Sequence, residues 1–266
     1  MQAIYTGDNP AQHAAPCMMK ATSEMKDKPA KDDLFAVPRI AQDFSFGGPT
    51  AQVFDDMVNR SVPFYAEIQN MVTELSCDFA TPGSTVYDLG CSTGTTLLKL
   101  DHLLEPDIRL MGLDNAADML ALARDKVKTA RRPIGFVLAD FEEPLLLEQA
   151  SVVLMVLTLQ FVRPLRREQV VRMICNALPH QGAFILVEKI VSTSGLFNRL
   201  FIKHYYDYKK RNGYSELEIA QKREALENVL IPYRLEENLA LLKQAGFRKS
   251  EVFFRWYNFC GIVAIK

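Results

Sequence analysis

The chain lacks any long hydrophobic run: the longest, 152–159, already contains Thr158 and falls far short of the roughly 20 apolar residues that cross a bilayer. It also lacks an excess of positive charge. With 31 Lys and Arg against 32 Asp and Glu, the net charge is -1, so the electrostatic attraction behind strong nucleic-acid binding is missing as a global property. Neither a membrane nor a nucleic acid is an expected partner. The cysteines Cys17, Cys77, Cys91, Cys175 and Cys260 are odd in number and never form a CxxC pair, which argues against a disulfide framework and a zinc site. No metal is expected, and the reducing cytoplasm is the expected compartment. Residues 1–30 are broken by Asp8, Pro10, His13, Pro16, Lys20 and Glu24, so no secretory leader is read. Internal repeats are absent as well.

What is present is 266 residues, 48% of them apolar, enough for one large domain with attachments. Residues 1–33, rich in Ala, Lys, Asp and Pro without periodicity, read as a mobile extension. Residues 34–266 read as the domain. From Thr85 onward, short apolar runs at 85–89, 109–114, 135–140, 152–157 and 183–188 alternate with helical patterns near 95–104, 116–130 and 165–178. That alternation predicts a doubly wound α/β fold, a mostly parallel sheet whose strands are covered on both faces. The tail, with strands at 251–257 and 262–266, predicts an antiparallel hairpin at one sheet edge. Residues 54–79 are amphipathic with an interruption at Pro63, and a long aromatic insertion, helical in pattern, occupies about 192–230. An insertion after the fifth strand caps the carboxyl ends of the strands, where open sheets of this kind bind ligands.

Three strand ends carry chemistry. The stretch 86–94, VYDLGCSTG, is a strand followed by a small-residue turn, in which Gly90 and Gly94 allow close backbone approach and the following helix offers unpaired N–H donors. Asp114 ends the second strand 24 residues after Gly90, where a carboxylate accepts ribose hydroxyls, and Asn115 follows it. Asp140, followed by Phe141, ends the third with groups suited to hydrogen-bonding and stacking an adenine. Helix capping by Asp114 and Asp140 explains each acid separately but not their joint register. A dinucleotide turn wants G-x-G-x-x-G, which 90–94 does not supply. The order of features resembles the S-adenosylmethionine-dependent methyltransferase fold, of Rossmann-like type, with D-x-G-x-S-x-G in place of D-x-G-x-G-x-G.

A narrower resemblance lies in the segments 60–65 (RSVPFY), 86–92 (VYDLGCS), 157–161 (LTLQF), 186–189 (LVEK) and above all 211–223 (RNGYSELEIAQKR). Together they are similar to the carboxy-S-adenosylmethionine synthase family, over about residues 33–266. The resemblance implies conversion of S-adenosylmethionine and prephenate to carboxy-S-adenosylmethionine and phenylpyruvate, with the product serving a tRNA carboxymethyltransferase acting on a wobble uridine. It implies a homodimer. It also implies that Tyr65, Gly90, Cys91, Ser92, Asp114, Asn115, Asp140 and Phe141 contact the nucleoside, and that Arg223 holds the extra carboxylate as the catalytic residue. Two departures stand out: Val156, also at the cofactor, replaces an Asn usual in the family at the end of strand four, and Phe64 replaces a Gly beside Tyr65.

Arg223 is also reached from the residues themselves. Ser215 to Glu218 is a capping box, and Ile219, Arg223, Leu226 and Leu230 then share one face, so an arginine interrupts an apolar stripe. Burying a guanidinium is costly unless an anion meets it. An internal partner, Glu188 or Glu227, and a stem that leaves its head in water are the alternatives. Tyr205, Tyr206, Tyr208 and Tyr214 either shape a pocket or pack between helices, His204 reads as structural, and 209–211 and Arg131-Arg132 read as solvated faces. Two other functions remain open at this point: a methyltransferase for an acidic small molecule, and a nucleoside-binding module without catalysis.

Overall fold

The computed structural model describes residues 30–40, 42–141 and 143–266. Five parallel strands form the body of the sheet: Thr85–Leu89 (β1), Arg109–Asp114 (β2), Ile134–Leu138 (β3), Ala150–Val156 (β4) and Ala183–Val191 (β5). The short Tyr233–Arg234 (β6) pairs alongside β5, and Lys249–Trp256 (β7) with Phe259–Ile265 (β8) make the hairpin. The order is β3-β2-β1-β4-β5-β8-β7, with β8 antiparallel to both its neighbours. The hairpin therefore sits at one edge, as expected, but its turn is shorter than the predicted 258–261, only Tyr257 and Asn258 separating the strands.

Alternation along β4 shows why both faces must be covered. Val152 and Leu154 point into one core, Val153 and Met155 into the other, and all four are fully buried. The first core is closed by Pro49–Ser61 (α1), Tyr65–Phe79 (α2), Thr95–Leu103 (α3), Ala117–Lys126 (α4) and Gly195–Arg211 (α6). The second is closed by Pro164–Ala177 (α5) and Leu235–Ala245 (α8). Pro63 lies between α1 and α2, and the insertion is two helices, α6 and Glu216–Leu226 (α7).

The structure departs from three expectations and adds one element. Strand β3 stops at Leu138, because its pairing with β2 ends where Asp114 meets Leu138, so Asp140 stands on the loop beyond rather than at the strand end. Helix α8 was not among the sequence expectations. Arg132 is no solvated face: its guanidinium pairs with the fully buried Asp101 at 2.9 Å and bonds a ring of backbone carbonyls, that of Ile108 at 3.0 Å among them. Asp32, assigned by sequence to the extension, is buried, where it accepts from the Tyr214 hydroxyl at 2.5 Å. Residues 30, 31 and 33 of the predicted extension are exposed, and residues 1–29 lie outside the described residues.

Candidate functional site

The turn after β1 is built by close approach. Gly90 holds φ +81°, and a Cβ there would meet the Thr158 hydroxyl at 2.3 Å, so no side chain fits. Ser92 adopts φ 48°, the left-handed conformation that glycine adopts freely, and its backbone N–H donates to Asp114 Oδ2 at 2.8 Å. Gly94 (φ +75°) is the N-cap of α3, where no side chain caps the helix, leaving the first-turn amides for another acceptor. Cys91 is buried under this turn. Desolvation, with Asp88 and Asp114 close by, pushes its thiol up, so it packs as a neutral group.

The acids come to the cavity from the strands β1 and β2 and from the loop after β3. Asp114 is buried at the end of β2, where its Oδ1 also accepts from Ala116 N–H at 2.9 Å. This bond lies ahead of α4, whose N-cap Ala116 carries no side-chain cap, so helix capping does not account for the acid, and the same carboxylate faces the cavity beside the turn. Desolvation pushes its pKa up, against the pull of those backbone donors. Asp88, at the end of β1, is only 2% exposed, and burial together with the neighbouring Asp114 pushes it up to about 7. Asp140 is exposed, Phe141 is buried, and Val156 closes β4. Tyr65 opens α2 directly after Phe64, whose φ of 55° explains a glycine preference there: a side chain in this region costs about 1 kcal/mol. The Tyr65 phenol is pushed up by burial first and by Asp55 and Asp88 next.

All ten sequence-predicted residues, Tyr65, Gly90, Cys91, Ser92, Asp114, Asn115, Asp140, Phe141, Val156 and Arg223, line one cavity of about 530 Å³. That volume lies within the roughly 300–1,000 Å³ of small-molecule sites. Arg223 corrects an expectation. It is exposed on α7 and not buried in an apolar stripe, and it forms no hydrogen bond or ion pair among the described residues, with neither Glu188 nor Glu227 as partner. The reason is local: α7 ends at Leu226, before Leu230, and the buried position is that of its neighbour Lys222.

Sequence reasoning missed part of the wall. Besides Asp88, the cavity is lined by Lys189, Lys209, Lys222, Gln160 and Asn258. Lys209, read as part of a solvated run, is 6% exposed, whereas Lys210 and Arg211 beside it are exposed. Of the four tyrosines, Tyr205 and Tyr206 line the cavity, while Tyr208 bonds the Val62 carbonyl and Tyr214 bonds Asp32. His204 stacks on Tyr257 and is not among the residues that line the cavity. Among the described residues no group of three or more His, Cys, Asp and Glu is placed to hold a metal ion, and no helix is long and apolar enough to cross a membrane.

Comparison with known proteins fits this geometry. A methyltransferase-domain family model matches residues 86–182, the stretch from β1 to the start of β5. Among solved structures, the chain is similar to the CurJ carbon methyltransferase (TM-score 0.59, 15% identity, 82% of this chain and 59% of that one). It is also similar to human N-acetylserotonin methyltransferase (TM-score 0.55, 15% identity, 81% and 54%). These likenesses establish the fold. Curated relatives are nearer: the carboxy-S-adenosyl-L-methionine synthase of Methylococcus capsulatus is 56% identical over 89% of this chain and 100% of its own. That of Nautilia profundicola is 44% identical over 89% and 100%. On that identity across nearly the whole length of both chains, this protein belongs to the carboxy-S-adenosyl-L-methionine synthase family.

Proposed function

We propose that the protein converts S-adenosylmethionine and prephenate into carboxy-S-adenosylmethionine, phenylpyruvate and water, S-adenosylmethionine serving as substrate. Asp114 and Asn115 hold the ribose, Asp140 and Phe141 the adenine, and the turn at Gly90–Gly94 the methionine part. Prephenate loses its ring carboxyl as carbon dioxide; the released electron pair aromatises the ring and expels the ring hydroxide. That hydroxide takes a proton from the S-methyl group and leaves as water, and the resulting ylide carbon forms its new bond to the carbon dioxide. Atoms balance without a side-chain base. The protein's part is to hold the reactants together and exclude bulk water, and Arg223 stabilises the carboxylate as it forms.

The observation that carries this reading is the guanidinium of Arg223, which has no acceptor among the described residues and stands in the wall of the cavity that also gathers Asp88, Asp114 and Asp140. Such a fork of donors matches a ligand carboxylate. Incubating the purified protein with both substrates and following phenylpyruvate tests it: formation above the enzyme-free rate is expected. Prephenate consumption no faster than in the control, from well-folded protein, transfers the reading to an ordinary methyltransferase with an acidic acceptor.

The product is proposed to feed a tRNA carboxymethyltransferase, and the protein to act as a homodimer in the cytoplasm. The exposed apolar side chains of Leu196, Phe197 and Leu200 on α6 support the first of these two points, and the buried thiols of Cys91, Cys175 and Cys260, outside any disulfide, support the second.

A further inference from the structure

The second half of the cavity carries buried positive charge that the first half does not explain. Lys189 lies near the end of β5, Lys209 on α6 and Lys222 on α7, and all three line the cavity. They are threaded through two buried tyrosines. The Lys189 and Lys209 ammonium groups lie 4.7 and 5.1 Å from the centre of the Tyr205 ring; those of Lys209 and Lys222 lie 5.8 and 5.5 Å from that of Tyr214. One carboxylate serves the three: Asp32 meets Lys222 at 3.4 Å, while neither Lys189 nor Lys209 has a hydrogen-bond acceptor for its ammonium among the described residues. The nearby Arg60 adds no counter-charge, being a further cation already paired with Asp56 at 3.0 Å.

Buried ammonium groups are retained where something pairs with them. A row of three against one acid leaves two positive charges over, and ring faces replace only part of the lost hydration. Burial lowers all three pKa values; neighbouring lysines lower those of Lys189 and Lys209 further, whereas Asp32 partly offsets the effect at Lys222, so the positive charge is uncompensated chiefly at Lys189 and Lys209. A ligand with two negative charges removes that mismatch, and the side chains of Tyr205 and Tyr206 in the wall of the same cavity suit a six-membered ring that carries them.

We propose that Lys189, Lys209 and Lys222, set around Tyr205 and Tyr214, form the subsite that binds the two carboxylates of the second substrate, a ring-bearing dicarboxylate. This rests on the two-substrate reading above and adds to it the residues that recognise the second substrate.

The test is calorimetric titration of the full chain, preloaded with S-adenosylhomocysteine, with prephenate and separately with glutarate, an inert dicarboxylate. Lys189→Met and Lys209→Met are each expected to weaken both dicarboxylates about tenfold or more, the loss of a charge-assisted hydrogen bond. S-adenosylhomocysteine affinity should stay within about twofold, and melting temperature should hold or rise, since an unpaired buried charge is removed. Lys209→Arg, which keeps the charge, should retain most of the binding. Unchanged dicarboxylate affinity in both methionine variants overturns the proposal. So does equal weakening of S-adenosylhomocysteine and the dicarboxylates with a lowered melting temperature, which marks the lysines as structural. Wild-type protein that binds prephenate through these lysines but forms no phenylpyruvate leaves the subsite standing and removes the reaction; turnover with an unchanged prephenate KM in the variants does the reverse.

Discussion

At the scale of single residues, the site works through side chains whose partners are incomplete until a ligand arrives. Asp114 accepts from Ser92 N–H at one oxygen and from Ala116 N–H at the other, and its charged carboxylate retains acceptor capacity for the proposed ribose hydroxyls. Asp114→Asn keeps one acceptor for the turn but loses the charge and reverses one oxygen into a donor. The expected result is S-adenosylhomocysteine binding weaker by about ten- to a hundredfold by calorimetry, with the fold intact, since hydrogen bonds to charged groups are worth about 1.5–3 kcal/mol each. Unchanged affinity removes Asp114 from the site. Arg223 carries a different prediction. Lysine keeps its charge but not the planar fork, so Arg223→Lys should weaken carboxy-S-adenosylmethionine more than S-adenosylhomocysteine. The ratio of the two dissociation constants is the readout, and equal weakening assigns Arg223 to the structure alone. Residues of this kind were legible because strand-end position follows from the pattern of apolar runs. Lys209 was not: within a Lys-Lys-Arg run nothing local says which member turns inward, and its burial depends on Tyr205, Tyr214 and the distant Asp32.

At the scale of elements, legibility tracked how far a segment's structure is determined locally. Strands β1 and β2 match their expected limits residue for residue, being central, apolar and bounded by turn residues. Edge strand β3 does not, because its end is set by pairing with one neighbour only. Helix α8 had its signals, a Glu three residues after the N-cap Arg234 and Gly246 in the left-handed conformation at its end (φ 114°), but it falls between an aromatic insertion and a hairpin that draw the eye. Helix α7 was read correctly from its cap: Ser215 Oγ accepts from Glu218 N–H at 3.2 Å, and Glu218 Oε2 accepts from Ser215 N–H at 2.7 Å. Because α7 carries both Lys222 and Arg223, the cap positions two parts of the site at once. Ser215→Ala should cost about 1 kcal/mol of stability, read by denaturant unfolding, and should raise the KM for both substrates more than it lowers kcat. A stability loss with unchanged KM values shows that packing alone holds α7 in place.

At the scale of the whole molecule, a net charge of -1 conceals a cavity with an acidic end and a basic end. Asp88 and Asp114 crowd the end proposed to receive the cationic S-adenosylmethionine; Lys189, Lys209 and Lys222 crowd the end proposed for a dianion. Each end is poorly matched to an empty site, and the two mismatches have opposite signs of pH dependence. Asp88 moves from 3.8 to about 7 on folding, so its favourable contribution is whole below pH 3.8 and is lost as pH rises through 7. Lys189 moves from 10.5 to about 8; below pH 8 it is charged in both states and the folded chain bears the full penalty, which is relieved as pH rises from 8 to 10.5. Replacing each group by a neutral one makes these contributions visible. The stability of Asp88→Asn relative to wild type should be near zero around pH 4 and grow positive through pH 7. That of Lys189→Met should be positive at pH 7 and shrink toward zero above pH 10.5. Urea unfolding of ligand-free protein across this range measures both, and saturating S-adenosylmethionine with glutarate should flatten both curves, since each charge then faces its complement. Differences that do not change with pH, or that slope the same way, would show that the two ends of the cavity are not charged in opposite senses.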